Sequence, residues 1–238
     1  MRLPAKILAP LAGRPLLQLL VERTRRAPLD ALWLATTTNA SDDVTAAWGH
    51  AVGVEVHRGP EEDVLARFCG VLDREPAADT VVRLTADDPF VDAATIVAVV
   101  EALHRSPESV GVVSEDPSNR RRPLGFVPQA ARATAIREVA RSLDADGMPP
   151  THPHRSHVLS RLYEIGAAGA LVLSPSRAAS WRWTVDTLRD YEMARAAFDQ
   201  FGADALTIGY DAMVEILEAN PTIPEMNLDV VQKDWRLG

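Results

Sequence analysis

From Leu16 to Arg105 the sequence alternates between short apolar runs that end in polar residues and amphipathic segments of helical period. No other feature constrains the fold as much. LLQLLVERTRR carries an apolar stripe (Leu16, Leu17, Leu19, Leu20, Val21), a proline suited to its first turn and arginines in its last. DALWLATTT then has the pattern of a buried strand, and Ser41-Asp42-Asp43 caps a helix to about residue 51. VEVH (54–57) is a short strand, PEEDVLARFCGVLD a third helix and TVVRL (80–84) another buried strand, after which Asp92 caps AATIVAVVEALH. Such alternation predicts an α/β fold, a mostly parallel sheet with helices on both faces. Ligands of such sheets sit beyond the carboxyl ends of the strands, so the polar tails ATTTN, RGPEED and TADDP point to one rim.

Beyond residue 106 the pattern loosens. VGVVS reads as a strand, SNRRRPLG as a basic loop, and ARATAIREVARSL and THPHRSHVLSRLYE as helices. SWRWTVDT predicts a short strand ending in an acid, before helices in LRDYEMARAAFDQFG and DAMVEILEANP. No repeat or linker divides residues 1–238, so a single domain is expected, with an inserted lobe at about 115–170 for acceptor binding and dimerisation. The net charge of -8 argues against non-specific nucleic-acid binding. A single cysteine, Cys69, excludes an internal disulfide framework and a Cys-rich metal site, and fits a reducing cytoplasm. No apolar run approaches the ~20 residues that cross a bilayer.

Several residues carry chemistry in one reading and architecture in another. Asp87 and Asp186 each close an apolar strand pattern (VVRLTAD and WRWTVD). On one sheet they make a pair able to hold Mg²⁺, which takes few protein carboxylates; otherwise they cap the elements that follow. Arg2 and Lys6 precede a helix N-terminus, where backbone N–H groups favour anions, so they either cradle phosphates or form a solvated basic terminus. Arg120, Arg121 and Arg122 are an anion site or a solvated loop. His152, His154 and His157 match no dependable zinc spacing.

Five segments in order, RLPAKILAPLAGRPLLQLLVERTRR, ATTTN, HRGPEEDVLARF, VVRLTADDPFVD and RWTVDTLRDYEMARAAF, resemble the spore-coat-polysaccharide (SpsF-like) cytidylyltransferases, relatives of the acylneuraminate and deoxy-octulosonate cytidylyltransferases. The resemblance spans nearly the whole chain. It implies a nucleotide-binding α/β sheet of the nucleotide-diphospho-sugar transferase type, and transfer of CMP from CTP with Mg²⁺ and release of pyrophosphate. A homodimer is also expected. Carried over by position, Arg2 and Lys6 resemble phosphate-binding cations, and Thr36, Thr37, Arg58 and Arg83 line the nucleotide pocket. Asp87 and Asp186 match the metal-binding acids, with Asp87, Arg2 and Lys6 as the catalytic set. Met1 matches a position inside the family's phosphate loop, so either a strand and half a loop are expected upstream of an internal methionine, which is favoured, or the domain has lost that strand; starting at Met1, the chain is expected to be an impaired enzyme.

The acceptor half departs from the family pattern. Pro-Asp-Gly-Leu-Asp-Val-Glu becomes Pro123-Leu124-Gly125-Phe126-Val127-Pro128-Gln129, and Arg-Glu-His-Val becomes Arg155-Ser156-His157-Val158. Ala86 and Asp88 stand where glycine and cysteine are usual, which makes the metal loop more acidic. Four carboxylate positions are thereby lost beside Arg120, Arg122, Arg155 and His157, the expected acceptor-binding set. An anionic acceptor (sugar acid, sugar phosphate or phosphonate) suits such a site better than a polyol. A non-catalytic binding or assembly scaffold and a sugar-nucleotide glycosyltransferase are the alternatives.

Overall fold

The computed structural model describes residues 3–105, 111–113, 120–126, 128–165, 168–170 and 176–232. Arg2 and Val127 therefore lie outside the described residues. A two-residue ribbon, β1 (Pro10–Leu11) and β2 (Arg14–Pro15), leads into α1 (Leu16–Thr24). There follow β3 (Trp33–Thr37), α2 (Asp43–Ala51), β4 (Glu55–Gly59), α3 (Val64–Leu72), β5 (Thr80–Arg83) and α4 (Ala93–Arg105). This stretch matches the expected alternation, and Asp63 and Asp92 cap α3 and α4 as local signals, whereas Asp42 turns to Thr36 and Thr37 and does not cap α2. Leu16, Leu17, Leu19, Leu20 and Val21 are all buried.

The second half contains β6 (Gly111–Val113), β7 (Gln129–Arg132), α5 (Ala133–Ala145), α6 (Pro153–Ser156), α7 (Ser160–Glu164) and β8 (Ala168–Ala170). It ends in α8 (Leu188–Phe201), α9 (Tyr210–Glu218) and α10 (Thr222–Glu225). The α/β class stands, but the sheets are small and mixed. β3 and β4 pair in parallel, while the second sheet runs β5-β7-β6-β8. In it β7 is antiparallel to both neighbours and only β6–β8 is parallel. THPHRSHVLSRLYE forms two short helices instead of one, parted at His157, whose φ of -110° and ψ of 48° are not helical.

SWRWTVDT is a second departure. Among the described residues it makes one bridge, Leu124 to Arg182, instead of a strand ladder. Trp183 and Thr184 donate to the Leu124 carbonyl (2.7 and 3.1 Å), and Val185 to that of Asp87 (2.9 Å). The segment is anchored by its apolar side chains. Trp183 is fully buried and stacks on Phe90 with centroids 4.7 Å apart, and α8 covers them with Met193, Phe198 and Phe201. The tight approach requires Gly125, at φ +90°, since a Cβ there would lie 2.4 Å from the Thr184 nitrogen. A second core, under α3 and α5, contains Leu65, Leu72, Ile136, Val139 and Leu162.

Candidate active site

Backbone pairing assembles the site. The Val185 bond to Asp87 sets the ends of two extended segments side by side, and Leu3 N donates to the Asp186 carbonyl (2.8 Å). Three remote stretches, near residues 3–6, 87 and 186, are thereby fastened together. Ala5 takes a left-handed conformation (φ 50°, ψ 28°), which costs a non-glycine residue about 1 kcal/mol or more. That turn launches the Lys6–Leu8 3₁₀ helix.

Lys6 Nζ then sits between the two acids, 2.5 Å from Asp87 Oδ2 and 2.7 Å from Asp186 Oδ1. All three side chains are about one-fifth exposed, so solvent reaches them from one side. Burial disfavours the Lys6 ammonium, but Asp87 and Asp186 more than offset it and raise its pKa. Both carboxylate oxygens lie within bonding reach of one point, and hard oxygen donors in that arrangement suit Mg²⁺. The described residues contain no group of three or more His, Cys, Asp or Glu side chains able to hold a metal.

Asp88 follows Asp87 in the loop. Burial and the Asp87 charge push its carboxyl up to about 8, against bonds from Thr85 and Thr184 and the charge of Arg83. Arg83 is register partner to Gln129 and donates Nη1 to its Oε1 (3.0 Å). His157 has a lowered pKa through burial, the Arg83 charge and His154.

The other expected residues fall into separate groups. Thr36 and Thr37 both donate side-chain hydroxyls to Asp42 Oδ2 (3.1 and 2.5 Å). Arg58 bonds the Thr37 and Asn39 carbonyls and pairs with Asp43 (2.7 Å), binding the ends of β3 and β4 together. Arg122 stacks 4.4 Å over the Tyr210 ring, and Arg120 is exposed.

A family model described as Cytidylyltransferase matches residues 1–144. The chain belongs to the cytidylyltransferase family. It is therefore a nucleotidyltransferase. The spore coat polysaccharide biosynthesis protein SpsF of Bacillus subtilis is 28% identical over 92% of this chain and 90% of its own length. An 8-amino-3,8-dideoxy-manno-octulosonate cytidylyltransferase of Shewanella amazonensis is 32% identical over 44% of each chain. In fold, the chain superposes on a cytidylyltransferase from Leptospira borgpetersenii with a TM-score of 0.81, 22% identity, and coverage of 98% of this chain and 94% of the other.

Two features of this cytidylyltransferase escape its sequence pattern. Arg155, expected to bind the acceptor, is committed elsewhere: Nη1 donates to Asp63 Oδ2 (2.9 Å) and Nη2 to Asp144. Asp63 is the buried N-cap of α3, so the guanidinium ties α6 to α3 and α5 and leaves the acceptor set. Conversely, Arg182 and Asp190 emerge beside Asp186, with Arg182 Nη2 donating to Asp186 Oδ2 (2.9 Å). A signal existed, because Thr187-x-x-Asp190 has the spacing of a capping box.

Proposed function

We propose that the protein transfers CMP from CTP to a small anionic acceptor, using Mg²⁺ and releasing pyrophosphate. The observation that carries this reading is the convergence of Lys6, Asp87 and Asp186 at one solvent-open point. Asp87 and Asp186 would hold the metal, which when bound neutralises and orients phosphate oxygens. Lys6 supplies an ammonium on a flexible stem, suited to follow charge as it moves from the α-phosphorus toward the leaving pyrophosphate. Arg2 belongs to the same phosphate-binding set. An acceptor oxygen attacks the α-phosphorus as the bond to pyrophosphate breaks, so the chain's task is positioning, with no covalent nucleophile. Thr36, Thr37 and Arg58 at the ends of β3 and β4 are assigned to the nucleotide side.

The acceptor reading rests on Arg122 and His157, with exposed Arg120 at the loop; Arg83, expected on the nucleotide side, lies close to His157. Gln129, where the family pattern has a carboxylate, already gives its Oε1 to Arg83. A polyol would find few hydrogen-bond acceptors there, whereas a carboxylate, phosphate or phosphonate meets the cations directly. Among the described residues no helix is long and apolar enough to cross a membrane. A cytoplasmic homodimer, one domain with a lobe at about 115–170, completes the proposal.

A pyrophosphate-release screen with Mg²⁺, the four nucleoside triphosphates and a panel of acceptors tests it. Turnover is expected with CTP and with sugar acids, sugar phosphates or phosphonates, and is lost in Asp87→Asn and Asp186→Asn. Turnover of neutral sugars alone, or full activity in both variants, would overturn the reading.

A further inference from the structure

Arg182 lies four residues before Asp186, and the chain bends between them at Thr184, where the Trp183 and Thr184 N–H groups share the Leu124 carbonyl. Its guanidinium, 6% exposed, donates Nε to Asp190 Oδ1 (2.8 Å), Nη2 to Asp186 Oδ2 (2.9 Å) and Nη1 to Gln232. Asp190 is fully buried and saturated. It accepts from the backbone N–H groups of Asp186 (3.0 Å) and Thr187 (2.8 Å), from the Thr187 hydroxyl (2.9 Å) and from Asn227 Nδ2 (2.8 Å). Arg182 is thus clamped on one side by an acid with no freedom of its own, and on the other it grips one oxygen of Asp186. The second oxygen, Oδ1, is the one turned toward Lys6 and Asp87.

We propose that Arg182 is a positioning residue that holds Asp186 Oδ2 so that this carboxylate offers Oδ1 alone to the metal, selecting Mg²⁺ over Ca²⁺. The proposal rests on the metal reading given above. Magnesium demands a tight octahedral shell, whereas calcium takes more oxygens and readily accepts both oxygens of one carboxylate. A guanidinium that occupies Oδ2 disfavours that two-oxygen mode. Partners of this kind orient metal ligands, and losing one typically weakens metal binding 10–100-fold. A capping role alone would not distinguish the two cations.

The test is calorimetric titration of Mg²⁺ and of Ca²⁺ into the CTP-bound protein, with metal-free CTP affinity measured alongside. In Arg182→Lys a single ammonium replaces the fork and cannot bridge Asp190 and Asp186 in the same way. Mg²⁺ affinity is expected to fall by roughly 10–100-fold, Ca²⁺ affinity by much less, and metal-free CTP affinity to stay within about twofold. The double variant Arg182→Gln/Asp190→Asn, which removes both buried charges together, should show the same narrowing of the Mg²⁺ to Ca²⁺ ratio if Arg182→Lys does not fold. An unchanged ratio in a folded variant, or a parallel loss of both cations and of CTP, would overturn the proposal. Should the wild-type CTP complex bind neither cation, the metal reading itself fails, and the selectivity proposal falls with it.

Discussion

The guanidinium of Arg23, 1% exposed, donates to four backbone carbonyls: Val91 (3.0 Å), Ala205 (2.6 Å), Phe90 (3.1 Å) and Ile208 (3.0 Å). Burial lowers its pKa to about 10, and Asp92 opposes the shift. In sequence it is a last-turn arginine that should lie at the surface; its acceptors are far away along the chain, so nothing local reveals the role. Arg23→Lys should destabilise the fold by at least about 3 kcal/mol, because one ammonium cannot serve four carbonyls. Urea denaturation of the variant checks this, and a change under ~0.5 kcal/mol would contradict it. His57 offers a pH-dependent case. Its ring lies under Gly70, whose absent Cβ would stand 2.2 Å from Nε2, and its Nδ1 is buried without a hydrogen-bond partner. Burial, then Arg74 and Arg67, depress its pKa below 6.5, with Asp73 opposing. The unfolded chain therefore takes up this proton first as pH falls. Its contribution to stability is complete above about 6.5 and lost on acidification below it. His57→Asn should show a smaller loss of stability than wild type between pH 7.5 and 5.5; an equal loss would refute the assignment.

At the scale of elements, Arg155 makes the clearest claim. Asp63 accepts from Ala66 N (2.8 Å) at the start of α3 and from Arg155, and both side chains are over nine-tenths buried. Removing the guanidinium leaves a buried carboxylate without its cation, which typically costs about 3–5 kcal/mol. Arg155→Ala should therefore lower the melting temperature sharply. In the fraction that stays folded, the KM for the acceptor should be unchanged; a raised KM with normal stability would restore the binding role. The same contrast explains what could be read in advance. Helices α3, α4 and α8 were legible because stripe and cap lie within a few turns of each other, and α1 and α9 by their stripes alone. The helix expected from Ala131 begins instead at Ala133, since Gln129–Arg132 pairs with β5 and β6, a contact that propensity cannot foresee. Likewise, the extended run 181–186 carries the apolar alternation of a strand. Its direction and partners were set by Leu124, Asp87 and Leu3, so the pattern fixed the extension and not the ladder.

Across the whole molecule, the candidate site exists because stretches near residues 3–6, 87 and 186 are pinned by two backbone hydrogen bonds and one ammonium. Asp87, Asp186 and Lys6 were legible through strand-end position and motif. Arg182 and Asp190 were not assigned, since their role lies in three-dimensional contacts to Asn227 and Gln232 as much as in spacing. Lys6 has two distinct functions in this arrangement, and one substitution separates them. As a counter-ion it neutralises two converging acids; as a phosphate ligand, the role proposed above, it would serve turnover. Lys6→Met should leave two carboxylates repelling each other in partial burial, so the protein alone should melt at a lower temperature than wild type. Mg²⁺ without nucleotide should then raise the variant's melting temperature more than that of wild type, because the cation no longer competes with an ammonium for the same oxygens. Pyrophosphate release should nevertheless remain lost at saturating Mg²⁺, since a metal between the carboxylates cannot replace a charge that follows the phosphates. Thermal denaturation across a Mg²⁺ series, run beside the turnover assay, reads both effects. Equal Mg²⁺ shifts in the two proteins would show that Lys6 does not share its site with the metal, and recovery of turnover would remove it from the chemistry.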